Sequence, residues 1–174
     1  VVGSIPTWPT GNFRLAMLKK MEGEIHVPSN NQLSEFDDIF AANQTFAASF
    51  EHSHLTGIAT RGLAIVTCMD SRINPLAVTG MQAGDAKILR NAGARVTDDV
   101  LRTLVLATYL LGVKRVLVMP HTDCRMANNN EAEIHAMIDE QHGVDTRSIE
   151  FRTVDDQQSA LISDVTRIRT FPLL

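Results

Sequence analysis

Leu63-Ala64-Ile65-Val66 is an apolar run with no polar residue interleaved. A strand with one wet face alternates polar and apolar side chains, whereas a strand buried on both faces does not. The run therefore predicts a central strand covered by helices on both sides. Further strand candidates lie at Ala86 to Leu89, at Arg115 to Pro120 and at Ser148 to Val154. Between the second and third, Thr97 offers an N-cap and Asp98 and Asp99 complement the helix dipole. Val100, Leu104, Ala107 and Leu111 share one face of that helix, and Gly112 supplies its stop.

Other helices are expected from Ser34, read as an N-cap followed by acidic Glu35, Asp37 and Asp38, from about Arg125 to His142, and from about Asp155 to Arg169. Asn128-Asn129-Asn130 reads as a loop or an interruption. Strands alternating with helices indicate an α/β fold, a Rossmann-like three-layer domain with a central, mainly parallel β-sheet flanked by helices. Residues 1–33 are rich in Pro, Gly, Asn and Ser and read as an N-terminal arm lying on a partner subunit, with residues 34–174 as a single domain.

Composition excludes several classes. With 44% hydrophobic and 21% charged residues among 174, the chain can fill a core and is not disordered. No apolar run approaches the roughly 18 residues of a membrane span. A net charge of −4 with scattered Lys and Arg argues against a nucleic-acid surface. Two cysteines are too few for a disulfide scaffold. Val1 to Pro9 lacks the basic start and apolar stretch of a secretory signal, so a cytoplasmic protein acting on a small molecule is expected.

Ligands of parallel sheets sit beyond the carboxyl ends of the strands. Three loops occupy that edge: Thr67 to Pro75, Arg90 to Val96 and His121 to Met126. They hold both cysteines, Cys68 and Cys124, and His121 precedes Cys124 in a His-x-x-Cys arrangement. Neighbouring strands are only about 5 Å apart, so two such loops can bring these three side chains together. Two thiolates and an imidazole suit a tetrahedral zinc with one open position. The plain alternative is a pair of buried free cysteines beside an ordinary histidine. Asp70 and Arg72 stand two residues apart beside Cys68 and can form a charge-assisted pair. That pair either fixes the loop or holds a carboxylate that orients a metal-activated water; a free Asp70 could instead occupy the open position. Gly93 allows a close backbone approach or a positive φ. Arg90 is expected to pair with an acidic group.

At these residues the chain resembles the β-class carbonic anhydrases of short bacterial type. The likeness rests on Cys68-Met69-Asp70-Ser71-Arg72, Arg90-Asn91-Ala92-Gly93 and His121-Thr122-Asp123-Cys124, in this order, and runs from roughly Phe36 to Arg169. The resemblance implies one Zn²⁺ per chain held by Cys68, His121 and Cys124, Asp70 and Arg72 as a catalytic dyad, and Gly93 at the substrate pocket. It implies reversible hydration of carbon dioxide to bicarbonate and a proton through zinc-bound hydroxide, in a homodimer or dimer-based oligomer. The alternative on the same scaffold is hydrolysis of carbonyl sulfide or carbon disulfide. Many family members have Gly directly after the final cysteine, where this chain has Arg125; a cation there is expected to narrow the mouth of the site or pair with an acid.

Overall fold

The computed structural model describes residues 36–174, together with the backbone of two short antiparallel pairs: β1 (Thr7–Trp8) with β2 (Gly11–Asn12), and β3 (Met17–Leu18) with β4 (Ile25–His26). Apart from those strands, the expected arm over residues 1–33 lies outside the described residues. The chain divides into two compact units, Val1–Leu55 and Thr56–Leu174. In the first, helix α1 (Asp37–Ala48) opens with Phe36 at the N-cap and no side-chain cap; Asp37 and Asp38 occupy its first turn. The expected cap, Ser34, lies outside the described residues.

The second unit is built on a parallel sheet of three strands in the order β6-β5-β7. Central β5 (Leu63–Cys68) is buried at all six positions, as its unbroken apolar run requires. The edge strands β6 (Ala86–Asn91) and β7 (Arg115–Met119) are only partly covered. Cys68 pairs with Asn91, and Thr67 with Met119, so the three carboxyl ends finish level. Thr67 is fully buried and donates from its hydroxyl to the Met119 carbonyl at 2.8 Å, which satisfies the one polar side chain in the sheet centre.

Helix α3 (Asp98–Leu110) starts where the Thr97 side chain accepts from the Val100 amide, and it buries Val100, Leu101, Leu104 and Ala107. These pack with Ala64, Val66, Val96 and Val113 into the main core. Each fully buried Leu or Val contributes about 1.5–3 kcal/mol. Helix α6 (Gln157–Arg169) is capped by Asp156 and tied down by a buried pair, Asp164 to Arg95 at 2.7 Å; Asp164 also accepts from the Val96 amide at 3.1 Å. A short helix, α2 (Pro75–Val78), is capped by Asn74. Among the described residues, no helix is long and apolar enough to cross a membrane.

Two expectations need correction. The helix expected over 125–142 is two helices, α4 (Arg125–Asn128) and α5 (Glu131–His142), because Asn130 and Glu133 form a capping box that starts the second afresh. The strand expected from Ser148 to Val154 does not form. The amides of Phe151 and Thr153 donate to the Glu131 carboxylate and that of Val154 to the Met126 carbonyl, and Arg152 has φ 61°, outside any strand geometry.

Candidate metal centre

The level strand ends place Cys68 and the 121–124 loop side by side. One ligand atom each from Cys68, His121 and Cys124 lies within 4.8 Å of the others, and the two sulfurs are 3.9 Å apart with no disulfide. Both cysteines are buried, backed by Met126, Ile73, Ala92 and Phe151.

The imidazole of His121 is oriented from both sides of its residue. Its Nδ1–H donates to the Thr122 carbonyl at 2.8 Å, which leaves Nε2 as the lone-pair nitrogen. The side-chain amide of Gln157 donates to the His121 carbonyl at 2.9 Å and holds that backbone. Nε2 is buried and has no hydrogen-bond partner among the described residues. A buried lone pair without a partner costs free energy unless something fills the role. An ion bound by Nε2 and the two sulfurs would fill it, and imidazole with two thiolates is a donor set that zinc accepts.

Burial pushes the Cys68 thiol up, but the amides of Asp70 and Gly93, with His121 and Cys124, outweigh it and bring Cys68 below the usual thiol range. Burial and the neighbouring Cys68 push the Cys124 thiol up, against the amides of Met126 and Ala127. The Gly93 amide reaches Cys68 Sγ at 3.4 Å. It can do so because Gly93 adopts φ 77°, and a Cβ there would stand 3.1 Å from the Cβ of Met126. Gly93 also lines a small cavity with Cys124, Met126 and Gln157.

Asp70 stands at the rim of this cluster, its Oδ2 3.8 Å from His121 Nε2. Both carboxylate oxygens are taken by Arg72: Nε to Oδ1 at 3.0 Å and Nη2 to Oδ2 at 2.8 Å. This bidentate pair holds the Asp70 carboxyl well below the usual carboxylate range and raises the Arg72 guanidinium above its own. Asp70 is therefore a permanent hydrogen-bond acceptor near neutral pH.

Arg90 departs from its expected role. It donates to the main-chain carbonyls of Cys68 at 2.9 Å and Asp70 at 2.6 Å, not to an acid, and so sets the path of the loop that carries both. Arg125 is exposed and makes no ion pair among the described residues, so the expected acidic partner is not found there. Sequence reasoning did not single out Gln157 or Asp123, which contact the ligand-bearing loop or Arg72. Neither carries a local signal, since each acts across a long chain separation.

The carbonic anhydrase family model matches residues 63–165, which span all three strands and all three candidate ligands. The chain belongs to the β-carbonic anhydrase family. Among curated β-carbonic anhydrases, it is 35% identical over 108 residues to "Beta-carbonic anhydrase 1" of Mycobacterium tuberculosis, a match covering 62% of this chain and 66% of the relative. The structure of a carbonic anhydrase from Streptococcus mutans superposes with a TM-score of 0.74 at 37% identity, covering 82% of this chain and 86% of that one. A "Carbon disulfide hydrolase" of Acidianus is 43% identical over 74 residues, 42% of this chain and 36% of the relative. The parallel sheet flanked by helices agrees with this assignment.

Proposed function

We propose that the protein catalyses the reversible hydration of carbon dioxide to bicarbonate and a proton, with one Zn²⁺ per chain held by Cys68, His121 and Cys124. The observation that carries this reading is the buried Nε2 of His121, without a hydrogen-bond partner among the described residues and set beside two sulfurs, with a carboxylate at the rim that Arg72 already occupies. When bound, the ion supplies a Lewis acid that makes water nucleophilic near neutral pH. The two thiolates of Cys68 and Cys124 cancel its formal charge, and neutral His121 completes the protein ligands. The Asp70 carboxylate accepts a hydrogen bond from the attacking water and orients its lone pair toward carbon dioxide. Arg72 keeps Asp70 in that role by occupying both its oxygens from the outer side. Gly93 draws its amide against Cys68 Sγ and steadies that thiolate.

Stopped-flow hydration by zinc-loaded protein tests the proposal; a rate no faster than buffer alone would reject it. Carbon disulfide or carbonyl sulfide hydrolysis is the second reading, supported by the likeness to carbon disulfide hydrolases. It requires the same ligands, so sulfide release measured beside hydration separates the two. On the family resemblance we read the protein as a homodimer or dimer-based oligomer, which light scattering of the intact chain tests.

A further inference from the structure

Resting on the function proposed above, the geometry points to Asp123 as a positioning residue. It fixes the guanidinium of Arg72, and through it the carboxylate of Asp70, across the gap between the two ligand-bearing loops. Arg72 has five N–H donors in a rigid fork. Asp70 takes Nε and one hydrogen of Nη2. Asp123 takes two more contacts, Nη1 to its Oδ2 at 3.1 Å and Nη2 to its main-chain carbonyl at 3.1 Å.

The second anchor matters because Asp70 cannot locate Arg72 by itself. They are two residues apart in one loop, and the Arg72 side chain is 60% exposed against 19% for Asp70, so the outer end of the guanidinium needs a partner from another element to fix it. Asp123 lies 51 positions away from Arg72 in the chain, between candidate ligands His121 and Cys124. It ties the pair to the loop that carries the other two candidate ligands.

The backbone is arranged for this contact. Asp123 has φ 56°, a left-handed conformation that side-chain-bearing residues resist and that Asp tolerates better than most. In that conformation both its carbonyl and its carboxylate meet one guanidinium. Asn128 donates to Asp123 Oδ1 at 3.1 Å, leaving Oδ2 for Arg72. A pair this exposed, with Asp123 at 71%, adds little to stability. Its effect is on orientation.

Two variants separate orientation from loop shape. Asp123→Gly suits the left-handed φ and keeps the carbonyl, but deletes the carboxylate. With zinc retained, kcat for carbon dioxide hydration should fall about fivefold at unchanged KM. Exchange of the Arg72 Nη hydrogens, which Asp123 accepts, followed by NMR on arginine-labelled protein with and without zinc, should accelerate. Asp123→Asn keeps an oxygen acceptor and should recover most of both effects. Unchanged Arg72 exchange in Asp123→Gly overturns the inference, whatever happens to activity or zinc content, because Asp123 then serves only the shape of the loop. Faster exchange in the variant of a protein that shows no hydration activity would support the clamp and reject the function instead.

Discussion

The sulfurs of Cys68 and Cys124, 56 positions apart in the chain, stand 3.9 Å from each other, one at the end of β5 and the other in the loop that follows β7, with His121 in the same cluster. This proximity follows from parallel register: β5 and β7 finish level, so the residues just beyond them meet. One donor atom on a strand end and two on the loop that follows the neighbouring strand thus form a site that the fold itself assembles.

Replacing His121 with Ala, or either cysteine with Ser, is expected to reduce bound zinc from one ion per chain to near none and to abolish hydration. Elemental analysis of protein purified without chelator reads the first effect. Because a bound ion stabilises only the folded state, by about 4 kcal/mol at a thousandfold excess over Kd, chelator should lower the Tm of the wild type and leave His121→Ala unmoved. Full zinc occupancy in all three variants would dismantle the proposed centre.

Asp70→Asn keeps the size of the side chain but removes its charge. Zinc content should stay at the wild-type level while kcat for hydration drops by roughly ten- to a hundredfold, the usual cost of losing a hydrogen-bonding partner just outside a metal's ligands. An unaltered kcat would remove Asp70 from the reaction.

Gly93→Ala places a methyl group 3.1 Å from Met126 Cβ and forces a left-handed φ on a residue that resists it. A loss of about 1–3 kcal/mol in urea unfolding is expected. Zinc affinity, measured by competition with a chromophoric chelator, should weaken as the amide withdraws from Cys68 Sγ. A variant as stable as wild type, with unchanged affinity, would contradict this account of the turn.

Acid sensitivity can be assigned to a carboxylate remote in the chain from the candidate metal ligands. Asp145 accepts from Arg147 at 2.7 and 2.8 Å, which holds its carboxyl well below the usual range. A group with a depressed folded pKa contributes stability above its unfolded value, near 3.9, and loses it as pH falls toward the folded value. Asp145→Asn should therefore be less stable than wild type at pH 7, with the gap in urea midpoint closing below about pH 4. A gap that is the same at pH 7 and pH 3 would show that the ion pair is not its source.

How much of this was legible beforehand differs from element to element. β5 was readable because a strand buried on both faces shows no polar alternation, and Leu63-Ala64-Ile65-Val66 shows none. The Thr97 cap and the helix it starts were readable because capping acts over three residues. Segment 148–154 was misread: Ile149, Phe151 and Val154 have strand-like composition, yet the carboxylate of Glu131, 20 positions before Phe151, captures the Phe151 amide. Arg90 was misread for a similar reason, since its partners are carbonyls on another strand end.

The sequence by itself determined the α/β class, the start of the helix after Thr97 and the residue types available at the carboxyl edge of the sheet. These depend on periodicity, caps and apolar runs that act within a few neighbours. Only the tertiary structure decided that His121 Nε2 is left buried without a partner among the described residues, that Gly93 faces Cys68 Sγ, and that Arg72 bridges Asp70 and Asp123. Each of those contacts joins residues distant in the chain or depends on burial by other segments. Its geometry exists only once strand register has brought separate loops to one edge.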